Sequence, residues 1–324
     1  MRPGLNDLQA YLAQEFVDDY LAGRMTRRDL IRRILGITGG IAATATLLLG
    51  MGCQPGAVPP PAGPTAQPQP VGASPLPTAP PQPAPEARSK LSVKPDDPAI
   101  QAAEVTFPGD GATLVGYLAQ PKGAGPFPAV LVGHENRGLV EHIRDVARRF
   151  AKAGYVGLAV DLLSREGGTA KVDPAQVPGK LSADPGQSVA DFQAAFRDLQ
   201  SLPVVQRDKI GMVGFCFGGG ITWRVATAIP ELKAAVPFYG PNPPLEDVPM
   251  IRAAVLAIYG GEDQRINAGI PAIEAAMQQQ GKKFEKAIYP GAGHAFHNDT
   301  GAAWNEQAAS DAWQKTLEWF KRYL

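Results

Sequence analysis

Short apolar runs and longer amphipathic segments alternate along the chain from residue 91 to residue 324. Residues 129–132 are apolar throughout, which is typical of a strand buried on both faces of a sheet. Residues 140–153 instead place Ile143, Val146 and Phe150 on one helical face. The alternation of such strands and helices predicts a mostly parallel sheet of about eight strands, covered by helices on both faces.

The same two patterns define the other elements. Residues 108–112 (PGDGA) have the composition of a turn, so the strands on either side are predicted to form a hairpin. The remaining strands are expected at 104–107, 113–118, 155–160, 209–213, 234–238, 254–259 and 284–289, and further helices at 187–202, 221–228, 270–280 and 302–323. Ligands of such sheets bind at the carboxyl ends of the strands, so we expect functional residues in the loops that follow them.

The N-terminal third has a different composition. Residues 34–85 contain no charged side chain, so they cannot form the surface of an ordinary folded domain. Residues 26–32 (TRRDLIR) resemble a twin-arginine export signal, and an apolar run rich in Gly, Ala and Thr follows them. The moderate hydrophobicity of this run favours an export signal, with a permanent membrane anchor as the alternative. Both interpretations place the rest of the chain outside the cytoplasm, in the periplasm, at the cell surface or tethered to the membrane.

These shifts in composition divide the chain into a cytoplasmic segment 1–33, an apolar signal or anchor 34–53, a linker 54–90 and a folded domain 91–324. Pro, Ala, Gln and Gly dominate the linker, which favours an extended, disordered spacer. The linker is either a tether or a tail left after cleavage. Cys53 is a candidate site of lipidation, although the leucine of the preceding LGMG sequence lies one position too far upstream for a typical lipobox.

The segment ahead of the export signal has its own pattern. Leu8, Leu12, Phe16 and Tyr20 recur at four-residue spacing, so residues 5–21 are predicted to form an amphipathic helix. The sequence assigns no function to this helix.

Charge and cysteine content narrow the class of protein. With 31 basic and 31 acidic residues the chain has no net charge, and it gives no sign of a nucleic-acid binder. The chain contains two cysteines, Cys53 and Cys216, and a disulfide between an extended linker and a folded domain is not expected. We therefore expect a free thiol at Cys216, which in an exported protein calls for a functional explanation.

Residues 214–220 (GFCFGGG) surround that thiol and follow the predicted strand 209–213. A G-x-C-x-G sequence between a strand and a helix matches the nucleophile elbow of esterases and lipases, with cysteine in place of serine. Glycines on both sides of the nucleophile let the strand and the helix approach closely, and the helix N-terminus favours a thiolate. The alternative is a buried cysteine that packs as a small apolar side chain ahead of a flexible glycine run.

A cysteine nucleophile needs a base and an acid that orients the base, in the chain order nucleophile, acid, histidine. Glu262 and Asp263 follow the strand 254–259, and His294 follows the last predicted strand. Singly, a turn aspartate and a loop histidine are common. Together, in this order and at strand ends, they favour a catalytic triad. Elbow geometry assigns the oxyanion hole to the backbone N–H groups of Phe217 and Asn136.

Residues 214–219 (GFCFGG), 260–263 (GGED) and 293–296 (GHAF) resemble the dienelactone hydrolase (carboxymethylenebutenolidase) family of the α/β-hydrolase superfamily, over roughly residue 105 to the C-terminus. The resemblance implies an α/β-hydrolase fold and implies that Asp263, not Glu262, is the acid. It also implies that Glu135, in the sequence GHENRG, contacts the cysteine and helps to deprotonate it when substrate arrives. A buried carboxylate that faces a thiol disfavours the thiolate at rest.

Substrate recognition departs from the family pattern. The family holds the carboxylate of dienelactone with two arginines, and one of them corresponds to Arg165. The second should follow His294 within a few residues, but the sequence there is HAFHN, which leaves His297 as the candidate substitute. A related ester or lactone is therefore a safer expectation than dienelactone itself.

The sequence thus predicts an exported hydrolase of small carboxylic esters or lactones that uses a Cys-His-Asp triad. No metal or organic cofactor is expected, because no cluster of residues has ligand spacing. No nucleic-acid partner is expected either. Contact with a membrane is expected only through the N-terminal signal, anchor or lipid. One alternative is a non-catalytic binding domain of the same fold, tethered outside the cytoplasm. Another is a thiol redox sensor, although the domain contains no second cysteine to resolve an oxidised thiol.

Overall fold

The computed structural model describes residues 4–50 and 89–324 of the chain. Within these ranges, three helices precede one eight-stranded sheet and the helices that cover it. Cys53 and most of the predicted linker lie outside the described residues, so the expectations about lipidation and tethering stay predictions.

The strands are β1 (Ile100–Gly109), β2 (Ala112–Pro121), β3 (Phe127–Gly133), β4 (Val156–Asp161), β5 (Val205–Phe215), β6 (Ala234–Phe238), β7 (Ala254–Gly260) and β8 (Phe284–Tyr289). The helices of the described ranges are α1 (Asp7–Leu21), α2 (Arg27–Thr38), α3 (Ile41–Gly50), α4 (Glu141–Lys152), α5 (Val177–Ala183), α6 (Pro185–Ser201), α7 (Phe217–Ala228), α8 (Gln264–Asn267), α9 (Ile270–Gln279) and α10 (Glu306–Tyr323). Short 3-10 helices span Ser164–Glu166, Thr169–Lys171 and Leu245–Met250.

The strand order is β1-β2-β4-β3-β5-β6-β7-β8. β1, β2 and β4 pair antiparallel, and all strands from β4 to β8 pair parallel. This topology confirms the predicted mostly parallel sheet and the α/β-hydrolase fold. At its carboxyl edge Gly133 of β3 lies beside Gly214 of β5, and Gly260 of β7 lies beside Tyr289 of β8. The loops that follow these strands therefore open on the same edge of the sheet.

Helices cover both faces of the sheet. A Cβ atom on Gly211 would meet Phe320 of α10 at 2.8 Å, whereas one on Gly214 would meet Thr222 of α7 at 2.4 Å. Residues an odd number of positions apart on a strand point to opposite faces, so α10 and α7 lie on opposite sides of β5. α4 joins α10 through the ring of Phe150, and α6 packs beside α7.

α1 packs against the folded domain that contains the sheet. The helix begins at Asp7 because Asn6 and Gln9 form a reciprocal capping box: the Asn6 side chain accepts from the Gln9 N–H at 2.8 Å and the Gln9 side chain accepts from the Asn6 N–H at 3.0 Å. Its buried face includes Leu8, Leu12 and Phe16, the residues that predicted an amphipathic helix. α1 contacts α2, α5 and α7, so it covers part of the carboxyl edge of the sheet.

The twin-arginine motif lies at the start of α2, with Arg27 and Arg28 exposed. Leu30, Ile34 and Ile37 of α2 are buried, and α2 packs against α5. No single helix of the described residues is long and apolar enough to cross a membrane, but α2 and α3 meet the criterion as a pair, with a 114° bend between them.

Candidate active site

Cys216 stands at a sharp turn between β5 and α7, with φ 55° and ψ −116°. Its flanking glycines are sterically required. A Cβ atom on Gly214 would lie 2.1 Å from the carbonyl oxygen of Gly218, and one on Gly218 would lie 2.5 Å from that of His134. The Cys216 N–H donates to the carbonyl of Phe238 on β6 at 3.0 Å, which fixes the turn against the sheet. The elbow predicted from the sequence is therefore present, with its thiol at the N-terminus of α7.

Asp263 and His294 are in direct contact at the ends of β7 and β8. The carboxylate oxygen Oδ2 of Asp263 lies 2.5 Å from Nδ1 of His294. Asp263 is buried and also caps α8 by accepting from the N–H of Ile266, whereas Glu262 is exposed. Of the two acids that the sequence left open, Asp263 is thus the one that contacts the histidine. A ring nitrogen of His294 lies within 4.8 Å of the Cys216 Sγ.

The electrostatics of these three groups are coupled. Burial, and then the charge of Glu15, raise the pKa of the Cys216 thiol, and the nearby His294 opposes them. Burial alone would lower the pKa of His294, but Cys216 and the hydrogen bond with Asp263 raise it well above its usual value. Burial would raise the pKa of Asp263, but the bond with His294 lowers it. Burial therefore favours the neutral thiol at rest, and the charge on the sulfur, once it forms, raises the pKa of His294 and makes the imidazole a stronger proton acceptor.

Glu135 follows β3 and is buried beside the elbow. Its Oε2 accepts from Nδ2 of Asn298 at 2.6 Å, and its Oε1 is buried without a hydrogen-bond partner among the described residues. The charge of Glu135 contributes to the raised pKa of Cys216. Phe217 is the first residue of α7, where backbone N–H groups lack helical partners, and Asn136 directly follows Glu135.

Two residues that lie against the thiol of Cys216 were not predicted, and both come from α1. The hydroxyl of Tyr11 lies 3.4 Å from Sγ of Cys216. The carboxylate of Glu15 lies 3.6 Å from the same sulfur, accepts from Nδ2 of Asn136 at 2.7 Å and lies 3.5 Å from the guanidinium of Arg265. The available signal was a glutamate within the apolar face of the predicted helix, because a carboxylate is buried only where partners meet it.

A cavity of about 800 Å³ opens at this site. Cys216 and His294 line it together with Glu15 and Phe16 of α1. Four arginines also line it. Arg24 lies between α1 and α2, Arg33 in α2, Arg137 after β3 and Arg265 in α8.

Arg165 and His297 are not among the residues that line this cavity. Nη1 of Arg165 instead donates to both carboxylate oxygens of Asp191, at 2.6 and 2.7 Å. His297 is fully buried and stacks on the ring of Phe215, and burial and the charge of Arg149 lower its pKa well below the usual value. The structure therefore does not bring together the two residues that the sequence nominated for substrate binding.

Glu15, Cys216 and His294 place one donor atom each within 4.8 Å of one another, a spacing that could hold a metal ion. Carboxylate, thiolate and imidazole are all ligands that Zn²⁺ accepts.

Comparison with known proteins agrees with this fold. Residues 114–324 match the Dienelactone hydrolase family. A protein of Methylorubrum extorquens named "Putative carboxymethylenebutenolidase" is 35% identical over 249 residues, which cover 72% of this chain and 86% of that protein. The crystal structure titled "Putative Dienelactone Hydrolase" from Klebsiella pneumoniae is 34% identical with a TM-score of 0.65, and the match covers 69% of this chain and 100% of that one.

A third relative is a dienelactone hydrolase-like promiscuous phosphotriesterase from metagenomic libraries. Its structure is 25% identical to this chain with a TM-score of 0.64, over 69% of this chain and 99% of that one. Since family, sequence relatives and solved structures agree, this chain belongs to the dienelactone hydrolase family and is a hydrolase of the α/β-hydrolase superfamily.

Proposed function

We propose that this protein hydrolyses small carboxylic esters or lactones through a triad of Cys216, His294 and Asp263. The observation that carries the proposal is the contact between Asp263 and His294 at the ends of β7 and β8, beside a thiol held on a nucleophile elbow. An aspartate bonded to Nδ1 fixes the tautomer of the imidazole and leaves Nε2 to exchange a proton with the nucleophile.

The thiol of Cys216 loses its proton only as it attacks the substrate. In the resting site the pKa of Cys216 is raised by burial, so the group is a neutral thiol. As Sγ attacks the carbonyl carbon of the substrate, its proton passes to His294, whose pKa is raised by the charge that forms on Cys216 and by the hydrogen bond with Asp263. Glu135 raises the pKa of the same thiol, so it acts with burial to keep the nucleophile uncharged until substrate is bound.

The acyl group is then transferred to Cys216 and from there to water. The carbonyl electron pair moves to oxygen, where the N–H groups of Phe217 and Asn136 donate hydrogen bonds to the developing charge. The tetrahedral intermediate expels the alcohol oxygen, which takes the proton from His294, and leaves a thioester on Cys216. Water gives a proton to His294 and attacks the thioester carbonyl; the carboxylic acid is released and the thiol is restored.

The substrate class stays esters or lactones rather than dienelactone itself. Arg165, which the family resemblance offered as an anion-binding residue, is bound to Asp191 outside the cavity. A cavity of about 800 Å³ is large enough for a small ester or a lactone ring.

Hydrolysis of p-nitrophenyl acetate and of a panel of small lactones tests the proposal, with EDTA present so that adventitious metal does not contribute. Cys216→Ala should lower kcat/KM by about 10³-fold or more. Cys53→Ala, which removes the other thiol, is the matched control and should retain activity. Intact-mass analysis should show one acetyl group on the wild-type chain and none on Cys216→Ala.

Turnover that is unchanged in Cys216→Ala would exclude this nucleophile. A Cys216 thiol that a lactone protects from alkylation, in a protein that never releases product, would instead support the non-catalytic binding domain. The two outcomes therefore separate an enzyme from a binding protein of the same fold.

We also propose that the chain is exported by the twin-arginine route. The support is the sequence of residues 26–32 and the apolar run that follows. Replacement of both Arg27 and Arg28 by lysine should leave the protein in the cytoplasmic fraction, with Arg24→Lys as the matched control. Mass spectrometry of the mature N-terminus would show whether Cys53 carries lipid.

A further inference from the structure

α1 occupies the space in front of the nucleophile. Oε2 of Glu15 lies 3.6 Å from Sγ of Cys216 and 3.9 Å from Nε2 of His294. The hydroxyl of Tyr11 lies 3.4 Å from the same sulfur. Cys216 is only 3% exposed as a result of this packing and of its own turn.

A substrate needs that same space. Its carbonyl carbon must come within about 3–3.5 Å of the attacking sulfur, and its leaving oxygen must come within hydrogen-bond reach of the imidazole. An acyl group in that position would overlap the Glu15 carboxylate, which lies within 4 Å of both the nucleophile and the base, at 3.6 Å and 3.9 Å. Docked α1 and a reacting substrate therefore exclude each other.

We propose that α1 is an intramolecular inhibitor that closes the active site, with Glu15 and Tyr11 in the place of the substrate. The proposal rests on the proposed role of Cys216 as the nucleophile. It assigns a function to the N-terminal helix, which the triad chemistry does not use.

The docked position of α1 is specific. At its start, Nδ2 of Asn6 donates to the carbonyl of Ser182 at 2.7 Å, and Asp7 forms an ion pair with Arg224. In the middle, Leu12 is fully buried. At the active site, the guanidinium of Arg265 lies 4.3 Å from the centre of the Tyr11 ring. Ionic, apolar and cation–π contacts along one face fix the register that brings Glu15 to the sulfur.

Groups of the active site itself bind the buried carboxylate of Glu15. Nδ2 of Asn136 donates to Oε1 at 2.7 Å, and the Arg265 guanidinium lies 3.5 Å from Oε2. A buried carboxylate without such partners would cost free energy, so these two groups select a carboxylate at this point of α1. Release of α1 would leave Asn136 and Arg265 facing the emptied position beside Cys216.

The position of α1 in the chain suggests how it is released. α1 precedes the apolar segment 34–53, and the catalytic residues all follow it. A cut after that segment would turn the covalent connection into a bimolecular contact, and the high effective concentration of the helix would be lost. The inhibitor would therefore be removed by the same processing that an export signal undergoes.

Alkylation of Cys216 by iodoacetamide measures the docking of α1 without requiring turnover. The experiment uses the full chain with Cys53→Ser, so that one thiol remains, and compares Leu12→Asp with Leu21→Asp on the same helix. Leu12 is fully buried and Leu21 is 66% exposed. Leu12→Asp should raise the alkylation rate about tenfold or more, because one buried leucine accounts for at least that factor in the docking equilibrium. Leu21→Asp should leave the rate unchanged.

Two further variants keep the proposal testable if Leu12→Asp fails to fold. Tyr11→Ala removes the group in contact with the sulfur, and it should also raise the alkylation rate. Glu15→Gln should lower the pH at which alkylation is half-maximal, because the Glu15 charge raises the pKa of the thiol. Thermal unfolding of each variant shows that the catalytic domain is intact. Equal alkylation rates in the parent chain, Leu12→Asp and Tyr11→Ala would overturn the proposal.

Hydrolysis measured on the same proteins separates this proposal from the proposed function. Faster alkylation without any hydrolysis would support the inhibitor and refute the hydrolase. Full hydrolysis by the unprocessed chain, with alkylation unaffected by Leu12→Asp, would support the hydrolase and refute the inhibitor. A loss of hydrolysis in Tyr11→Ala and Leu12→Asp without faster alkylation would show that α1 assists catalysis, which also refutes the inhibitor.

Discussion

Arg165→Ala should weaken the fold and leave substrate binding nearly unchanged. Arg165 donates from Nη1 to both oxygens of Asp191 and from Nη2 to the carbonyl of Asp110, at 2.6 to 2.8 Å. The Asp191 side chain is 2% exposed, so its charge would lose its main partner in a buried position. Breaking one side of a buried ion pair costs about 3–5 kcal/mol.

Two features reduce that cost here. Nε2 of Gln187 still donates to Asp191 at 3.1 Å, and the Arg165 side chain is 28% exposed, so water can enter the vacated space. We therefore expect a loss of about 2–3 kcal/mol, which for a domain of this size lowers Tm by about 5–10 °C. Thermal unfolding by circular dichroism measures the loss, and KM for a neutral ester and for a carboxylate-bearing ester measures binding.

The pH dependence gives a second check. Burial raises the pKa of Asp191, and Arg165 opposes that rise, so the pKa should be higher still in Arg165→Ala. A carboxyl whose pKa is raised on folding destabilises the protein when it is charged, and the penalty shrinks as pH falls through the folded pKa. The deficit of the variant should thus be smaller at pH 5 than at pH 8, and Asp191→Asn in the same chain should recover part of it.

A particular result would refute this reasoning. An unchanged Tm, together with a KM that rises more than about tenfold for the carboxylate ester alone, would show that Arg165 leaves Asp191 to bind substrate. The arginine would then act as the family resemblance suggested, and the ion pair would be a feature of the empty site.

Three further outcomes are expected. Asp263→Asn should lower kcat by about 10²- to 10⁴-fold with little change in KM, because the wrong imidazole tautomer is favoured. A steady-state kcat that falls less than about threefold would contradict the role of Asp263 as the residue that orients His294. Gly214→Ala should sharply reduce the free energy of unfolding in urea, because its Cβ would lie 2.1 Å from the Gly218 carbonyl oxygen, whereas Gly40→Ala, with open space at its Cβ, should not. The free energy of unfolding should fall below about pH 6.5, by up to about 1.4 kcal/mol per pH unit, because His297 takes up a proton on unfolding. The pKa of His297 is lowered in the folded state, so its contribution to stability is fully present above the pKa of the unfolded chain and is lost as the pH falls. The same slope in His297→Phe as in the wild type would contradict this reasoning.

The sheet could be predicted because its central strands are buried on both faces. Every residue of β4, β6 and β7 is buried. β6 and β7 appear in the sequence as uninterrupted apolar runs, and β4 is apolar up to its last residue, Asp161. The edge strand β1 was predicted only over residues 104–107 but extends over Ile100–Gly109, since many of its side chains face solvent and weaken the pattern. The other edge strand, β8, matches its predicted bounds of 284–289, whereas the interior strand β5 extends beyond its predicted 209–213 to Val205–Phe215. Burial alone therefore does not decide whether the ends of a strand can be read from the local sequence.

α5 (Val177–Ala183) was missed for a different reason. It contains Pro178 and Gly179, the composition of a loop. A Cβ atom on Gly179 would lie 2.1 Å from the carbonyl oxygen of Gly36, so the glycine lets α2 pack closely against this helix. The residue type reflects a contact with a segment more than a hundred positions away, which local patterns do not encode.

The residues of the candidate active site also fall into those that the sequence could predict and those that it could not. Cys216, Asp263 and His294 could be nominated because topology alone places the loops after successive parallel strands at one edge. The contact of Tyr11 with Cys216 spans 205 positions in the chain, and the pairing of Arg165 with Asp191 depends on how a loop meets α6. Both depend on tertiary packing that neither motif nor periodicity reports.

The backbone at Cys216 has a consequence for the evolution of this protein. A residue with a side chain at φ 55° and ψ −116° is held in a conformation that costs about 1–3 kcal/mol and that glycine would adopt more easily. Selection for heat resistance alone would thus favour replacement of the proposed nucleophile by glycine, so stability and the proposed activity make opposite demands on this one position.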